Sequence, residues 1–288
     1  MQASRVAVTE QILICTDLDR TLLPNGPQPE SADARTRFAR LVEHEDIQLV
    51  YVSGRDQQLI INAMQMYQLP QPDYVIADVG TSIYQIEADG DWSSVQSWHQ
   101  QIDSDWNGYS RQQLAALIHQ RDLRLQEPSK QNQHKLSYYV PLKVKQQNIS
   151  NAIQTVFQQH AIQASLIWSI DEPNGISLLD IIPASASKYH AIEYLLQWLR
   201  LSPSQCVFCG DSGNDMEVLL SPLNSVLVAN SSAAIQQMAR AGLSQQGLDD
   251  SLYIAQGNFL GMNGYYSAGM LEGIAHFFPH TYHWMQTS

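Results

Sequence analysis

The segment Gln11–Pro24, Q-I-L-I-C-T-D-L-D-R-T-L-L-P, constrains the fold of this chain more than any other stretch. Ile12, Leu13, Ile14 and Cys15 form an apolar run with no polar alternation, the pattern of a strand buried on both faces of a parallel sheet. Two acids, Asp17 and Asp19, follow it. Acids at the C-terminal end of such a strand sit where open α/β sheets bind ligands. Two neighbouring carboxylates raise each other's pKa unless a cation neutralises them. The stretch therefore predicts a hard divalent cation with oxygen ligands, Mg2+ first. D-x-D is a short motif, and a strand ending in an acidic turn has the same letters. The rest of the chain has to separate the two readings.

Charge excludes several classes. Among 288 residues there are 16 Lys and Arg against 28 Asp and Glu, a net charge of −12 with no basic block, which argues against nucleic acid and anionic membranes as partners. A small anionic ligand then needs a local positive site. Three cysteines, Cys15, Cys206 and Cys209, are too few and too odd in number for a disulfide scaffold and point to a reducing compartment. Cys206 and Cys209 have redox spacing, but in a strand residues three apart face opposite ways. The N-terminal residues show no apolar export signal, and no run approaches the ~20 apolar residues of a membrane span. The expected location is cytoplasmic.

In chain order, a turn-rich loop N-G-P-Q-P-E-S leads to a helix predicted over 32–45, with Ser31 as its N-cap. Ile47–Val52 reads as a strand that ends in Ser53-Gly54-Arg55, with a helix beginning near Asp56. A hydroxyl and a glycine N–H at such a strand end can hold a phosphoryl oxygen. Tyr74–Ala77 is a third strand, followed by D-V-G-T-S-I-Y. The order β-α-β-α-β is that of a doubly wound sheet. From Glu87 to about Ile182 the chain becomes rich in Gln, Asn, Trp and Tyr, and Trp92, Trp98, Trp106 and Trp168 all fall there. This stretch reads as an inserted α+β unit, with strands over 135–140, 166–170 and 176–182 and helices over 114–118 and 149–160. The doubly wound pattern resumes with a helix from Ser187-Lys188 to Leu199. The strand Cys206–Gly210 runs into D-S-G-N-D, a further strand spans 225–229 and a helix 233–241, and a last helix over 269–278 is stopped by Pro279. The expected architecture is an α/β doubly wound parallel-sheet core, residues 1–87 and 183–288, with an inserted α+β cap, residues 88–182.

Asp17/Asp19, Ser53-Gly54 and Asp211/Asn214/Asp215 lie at predicted strand ends, and Lys188 starts a helix, so all converge on one crevice. Four acids, one lysine, one amide and one hydroxyl there suit phosphoryl transfer, which is mostly positioning and charge neutralisation.

D-L-D-R-T, S-G-R, Lys188 and G-D-S-G-N-D resemble, in order and spacing, the four motifs of the haloacid dehalogenase superfamily. The insertion is similar to the C2-type cap of its Cof-like branch, and D-V-G-T-S-I-Y, N-Q-H-K-L-S-Y and G-D-S-G-N-D together resemble the sucrose-phosphate phosphatase group. One departure is Arg20, where the family usually has Gly or Asn.

The resemblance implies that Asp17 is the nucleophile and Asp19 the general acid and base. It further implies that Asp17, the carbonyl of Asp19, and Asp211 bind Mg2+, that Asp215 supports the site through its waters or Lys188, and that Ser53, Gly54, Lys188 and Asn214 hold the phosphoryl group. The implied partner is a small sugar phosphate, sucrose 6F-phosphate first, with transient contact with a sugar-phosphate synthase as a further expectation. Mannosyl-3-phosphoglycerate, glucosyl-3-phosphoglycerate and mannosylfructose phosphate are alternative substrates. A non-catalytic phosphosugar-binding domain is the alternative of another class, opposed by the presence of both Asp17 and Asp19.

In the insertion, Lys135, Ser137 and Tyr139 alternate on one strand face and, with Asp171 and Asn174 of the loop Asp171–Asn174, form the expected sugar pocket. His276, His280 and His283 do not have clean ligand spacing, because Pro279 interrupts their helix.

Overall fold

The computed structural model describes residues 11–286 apart from 172 and 173. The N-terminal stretch read for export signals, and Glu172 and Pro173 of the expected pocket loop, lie outside the described residues. The strands are β1 (Ile12–Thr16), β2 (Ile47–Val52), β3 (Tyr74–Ala77), β4 (Ser82–Ile86), β5 (Trp92–Ser94), β6 (Arg124–Leu125), β7 (Leu136–Pro141), β8 (Ala164–Asp171), β9 (Ile176–Pro183), β10 (Cys206–Gly210), β11 (Asn224–Leu227) and β12 (Leu252–Ile254). The α-helices are α1 (Ala34–Val42), α2 (Gln57–Tyr67), α3 (Gln96–Asp103), α4 (Arg111–Leu117), α5 (Gln146–Gln159), α6 (Lys188–Leu199), α7 (Met216–Leu219), α8 (Ala233–Gln246) and α9 (Ser267–Phe277).

The large sheet has the order β12-β11-β10-β1-β2-β3-β4-β5. It is parallel from β12 to β3, and β4 and β5 add an antiparallel edge. β1 is central, and its alternate residues serve different layers. Ile12 and Ile14 pack with α1, α2 and α9, whereas Leu13 and Cys15 pack with α3, α6 and α7. The unbroken apolar run of β1 is thus the signature of burial on both faces. Cys206 and Cys209 fall in these two opposite layers, as strand geometry requires.

The second sheet, β6-β7-β9-β8, is antiparallel and packs one face on α4 and α5 through Leu136, Tyr138, Val140, Ile149, Ile153 and Phe157. Its other face presents Ser137, Tyr139 and Asp180.

Three expectations need correction. The β4–β5 hairpin carries Trp92–Ser94 in the large sheet, so a boundary at residue 87 cuts through that hairpin. For the same reason Trp92 and Trp98 belong to the core layers, and only Trp106 and Trp168 pack in the smaller unit. Ser31 is not the cap of α1. Asp33 holds that position, and the Ser31 hydroxyl accepts from Asn263 N–H at 3.0 Å. His276 stacks on Tyr253 at 4.5 Å, His280 meets the edge of Trp284, and His283 lies beside Tyr282, so the three rings serve separate aromatic contacts.

Candidate active site

β1 ends at Thr16, and Asp17 N–H then donates to Cys209 O at 2.9 Å, so β1 and β10 stay paired up to the first acid. Asp17 is 4% exposed. Helix α6 starts at Lys188 because the Ser187 hydroxyl caps it, accepting from His190 N–H. The Lys188 ammonium donates to Asp17 Oδ1 at 2.8 Å and to Asp215 Oδ1 at 2.7 Å. The other Asp215 oxygen accepts from the N–H groups of Asp211 and Ser212, both at 3.2 Å. This approach needs Gly210: a Cβ there would lie 2.7 Å from Asp215 Oδ2.

Oxygens of Asp17, Asp211 and Asp215 lie within 4.8 Å of one another. Burial pushes the Asp17 carboxyl up to about 8, against the charge of Lys188 and with the help of Asp215. Burial and Asp215 push Asp211 up to about 6, with Arg20 opposing. Burial works against the charge on Lys188, but the two aspartates hold it well above the usual lysine range. Three buried carboxylates around one lysine, two of them raised, form an all-oxygen donor set short of positive charge. Such a set fits Mg2+. Asp215 has both oxygens engaged, so Asp17 and Asp211 are the carboxylates of this cluster that fit the ion.

Asp19 is half-buried and held by side chains of two other loops. Arg55 grips it through two bonds of 2.7 and 2.6 Å, and Asn25 donates to it at 2.6 Å. Partial burial raises its pKa, but the bonds and charge of Arg55 outweigh this and leave it below the usual range. Neither partner was given a role from the sequence. Arg55 stood in the S-G-R motif and Asn25 in the loop, and nothing local pairs them with Asp19.

Ser53, 1% exposed, follows β2 on the neighbouring strand end and accepts from Arg55 N–H at 3.2 Å, with Gly54 beside it. Asn214 is exposed, and its Oδ1 accepts from the Ser212 hydroxyl at 2.9 Å. Arg20 has φ +59°, the left-handed region that Gly and Asn adopt most easily. This accounts for the family preference from which the chain departs. Its guanidinium lies 3.4 Å from Asp211 Oδ2, and Asn230 holds its carbonyl at 2.7 Å.

The cap residues divide. Lys135, just before β7, donates to Asp78 and is buried with it. Ser137, on the same face, donates to Asp180. Tyr139 continues that face but gives its hydroxyl to Glu127 at 2.7 Å, under the Arg124 guanidinium. Asp171 and Asn174 bond to each other at the tip of the β8–β9 hairpin.

An aspartate after the central strand β1, a second acid two residues on, a buried lysine and a carboxylate pair after β10, all at the C-terminal ends of a doubly wound sheet, are the features of a phosphoric monoester hydrolase of the haloacid dehalogenase type. Comparison with known proteins narrows this. The chain belongs to the sucrose-6F-phosphate phosphohydrolase family, whose pattern matches residues 10–278.

A Nitrosococcus oceani protein named only as a HAD-like hydrolase is 50% identical over 279 residues, 96% of this chain and 75% of that protein. Sucrose-phosphatase 1 of Nicotiana tabacum is 30% identical over 241 residues, 80% of this chain and 53% of that protein. The chain thus spans about half the length of the plant sucrose-phosphatases it matches. The sucrose-phosphatase of Synechocystis sp. PCC6803, solved with sucrose and phosphate, superposes with a TM-score of 0.71 at 26% identity, covering 93% of this chain and 98% of that one. No helix of the described residues is long and apolar enough to cross a membrane.

Proposed function

We propose that the protein is a Mg2+-dependent sugar phosphatase that hydrolyses sucrose 6F-phosphate through an aspartyl-phosphate on Asp17. The observation that carries the substrate is the likeness to the Synechocystis enzyme, solved with sucrose and phosphate, which extends over cap and core together. The inserted unit, starting after β5 rather than at residue 88 and ending near residue 182, acts in this reading as the cap over the crevice. The ion, when bound, neutralises phosphoryl and carboxylate charge. Asp17 attacks phosphorus as the bond to the sugar oxygen breaks, and Asp19 protonates that oxygen. Water then attacks the aspartyl-phosphate and gives its proton to Asp19, releasing phosphate. Lys188 holds Asp17 in line and shares the phosphoryl charge, and Ser53, Gly54 and Asn214 orient its oxygens. Asp19 cannot donate a proton while Arg55 grips it, so the acid step requires that grip to loosen.

Phosphate release from a panel tests the substrate. Sucrose 6F-phosphate is expected to exceed mannosyl-3-phosphoglycerate, glucosyl-3-phosphoglycerate, mannosylfructose phosphate and glucosylglycerol phosphate in kcat/KM by at least ~10-fold, the discrimination that one or two well-placed polar contacts give. A preference for another member would replace the substrate and keep the chemistry. Glucosylglycerol phosphate belongs in the panel because a glucosylglycerol-phosphate synthase of Pseudomonas anguilliseptica is 27% identical over 229 residues, only 28% of its own length.

Metal binding has a pH signature. Asp17, near 8, and Asp211, near 6, are protonated below those values in the metal-free protein. Protons therefore compete with Mg2+ as pH falls, and the folded state, holding protons that the unfolded chain has lost, becomes less stable without metal as pH rises from about 4 to 8. The rise in Tm on adding Mg2+ is expected to be larger at pH 8 than at pH 6. Equal shifts at the two pH values would exclude these carboxylates as the ligands.

A further inference from the structure

We propose that the turn Asp78–Thr81, which follows β3, is a relay that couples the placement of the cap to the phosphoryl-binding elements, with Asp78 as its positioning residue. The proposal rests on the reading that a phosphoryl group occupies the crevice, and it deepens that reading.

The turn is strained. Asp78, Val79 and Gly80 have φ of +53°, +64° and +103° in succession. Glycine adopts this region freely, but a β-branched valine does so only where its surroundings hold it there. Those surroundings are the catalytic elements. Asp78 N–H donates to Arg55 O at 2.9 Å and Val79 N–H to Ser53 O at 3.2 Å. Gly80 lies against the start of α6: a Cβ there would come within 2.4 Å of the Ser187 carbonyl carbon and 2.8 Å of Lys188 N. Trp98, fully buried, donates to Gly80 O at 3.0 Å. The turn is thus fastened to the loop that carries Ser53 and Arg55, and to the helix start that carries Lys188.

Its other side meets the cap. Lys135 donates to Asp78 in a pair buried at both ends. Asn132 Nδ2 donates to Thr81 Oγ1 at 2.8 Å, and the same hydroxyl donates back to Asp78 O at 3.0 Å. Lys130 lies 3.6 Å from Asp56, farther out along the same segment. Residues 130–135 run straight into β7, whose Ser137 donates to Asp180. A shift of β7 therefore pulls on Asp78, and the close fit of Gly80 leaves no slack before Ser53 and Lys188 feel it. Coupling of this kind is reciprocal, so a ligand at the crevice must also steady the cap segment.

Hydrogen–deuterium exchange with and without inorganic phosphate and Mg2+ tests this. In the wild type, phosphate is expected to slow exchange in peptides covering 53–55 and 188–190, and also to slow residues 130–137 by at least about 5-fold. Asp78→Asn removes the charge while keeping a residue that tolerates left-handed backbone. Thr81→Ala removes the Asn132 bond and carries the test if Asp78→Asn fails to fold. Both are expected to keep the protection at 53–55 and 188–190 but to lose that at 130–137, to within about 2-fold. Retained protection of 130–137 in the folded variants, or none there in a wild type protected at the crevice, overturns the relay. No protection at the crevice in the wild type overturns the phosphoryl-site reading, and the relay with it.

Discussion

Asp17→Asn is expected to lower kcat by at least ~10^3-fold, about 4 kcal/mol in barrier, with the protein still folded. The asparagine side chain has the same shape and can still accept from Lys188, which sits 2.8 Å from Asp17 Oδ1, so the buried network survives. What disappears is the anionic oxygen that attacks phosphorus. The loss falls on kcat and kcat/KM together, because the interaction removed belongs to the transition state. Sugar-phosphate hydrolysis at a tenth of the wild-type rate would show that Asp17 is not the nucleophile.

Lys188→Ala has two expected effects. Turnover falls at least ~10^2-fold, because the charge facing Asp17 and the phosphoryl oxygens is lost. Stability falls as well, by about 3–5 kcal/mol, the usual cost of leaving buried carboxylates without their cation. Lys188 is 3% exposed and bonded to both Asp17 and Asp215, so no solvent replaces it. Part of the stability loss is expected to return on adding Mg2+, which supplies positive charge to the same carboxylates. The exposed Lys145 is the control, and Lys145→Ala should change neither quantity beyond twofold, as for most surface substitutions. Equal losses for the two lysines would place Lys188 outside the site.

The centre of the fold was legible because its signals are local. The run Ile12–Cys15 is apolar on both faces, and Ser187-Lys188 marks the start of α6 by an N-cap. The strand ends then place Asp17, Ser53 and Asp211 together by topology alone. What escaped was either weakly patterned or non-local. β5 is three residues, Trp92, Ser93 and Ser94, with no alternation to distinguish it from a linker, so the edge of the core was drawn too early. Arg55 and Asp19 are 36 residues apart, and Lys135 and Asp78 are 57 apart. Their pairing depends on which loops lie side by side, and no periodicity encodes that. Lys135 lies just before β7 rather than within it, and the partner of its amine came from the core. Arg20 was visible as a departure, and its left-handed φ supplies the physical reason that the position favours Gly or Asn.

Quenching a single turnover in acid tests the central claim most directly. Enzyme with Mg2+ is mixed with sucrose 6F-phosphate labelled in its phosphoryl group, stopped within milliseconds, digested and sequenced by mass spectrometry. The account predicts an acid-stable, hydroxylamine-labile phosphoryl group on the peptide containing Asp17, absent from Asp17→Asn and appearing before free phosphate. Phosphate released at the full rate with no label on that peptide, or label on any other residue, would contradict it.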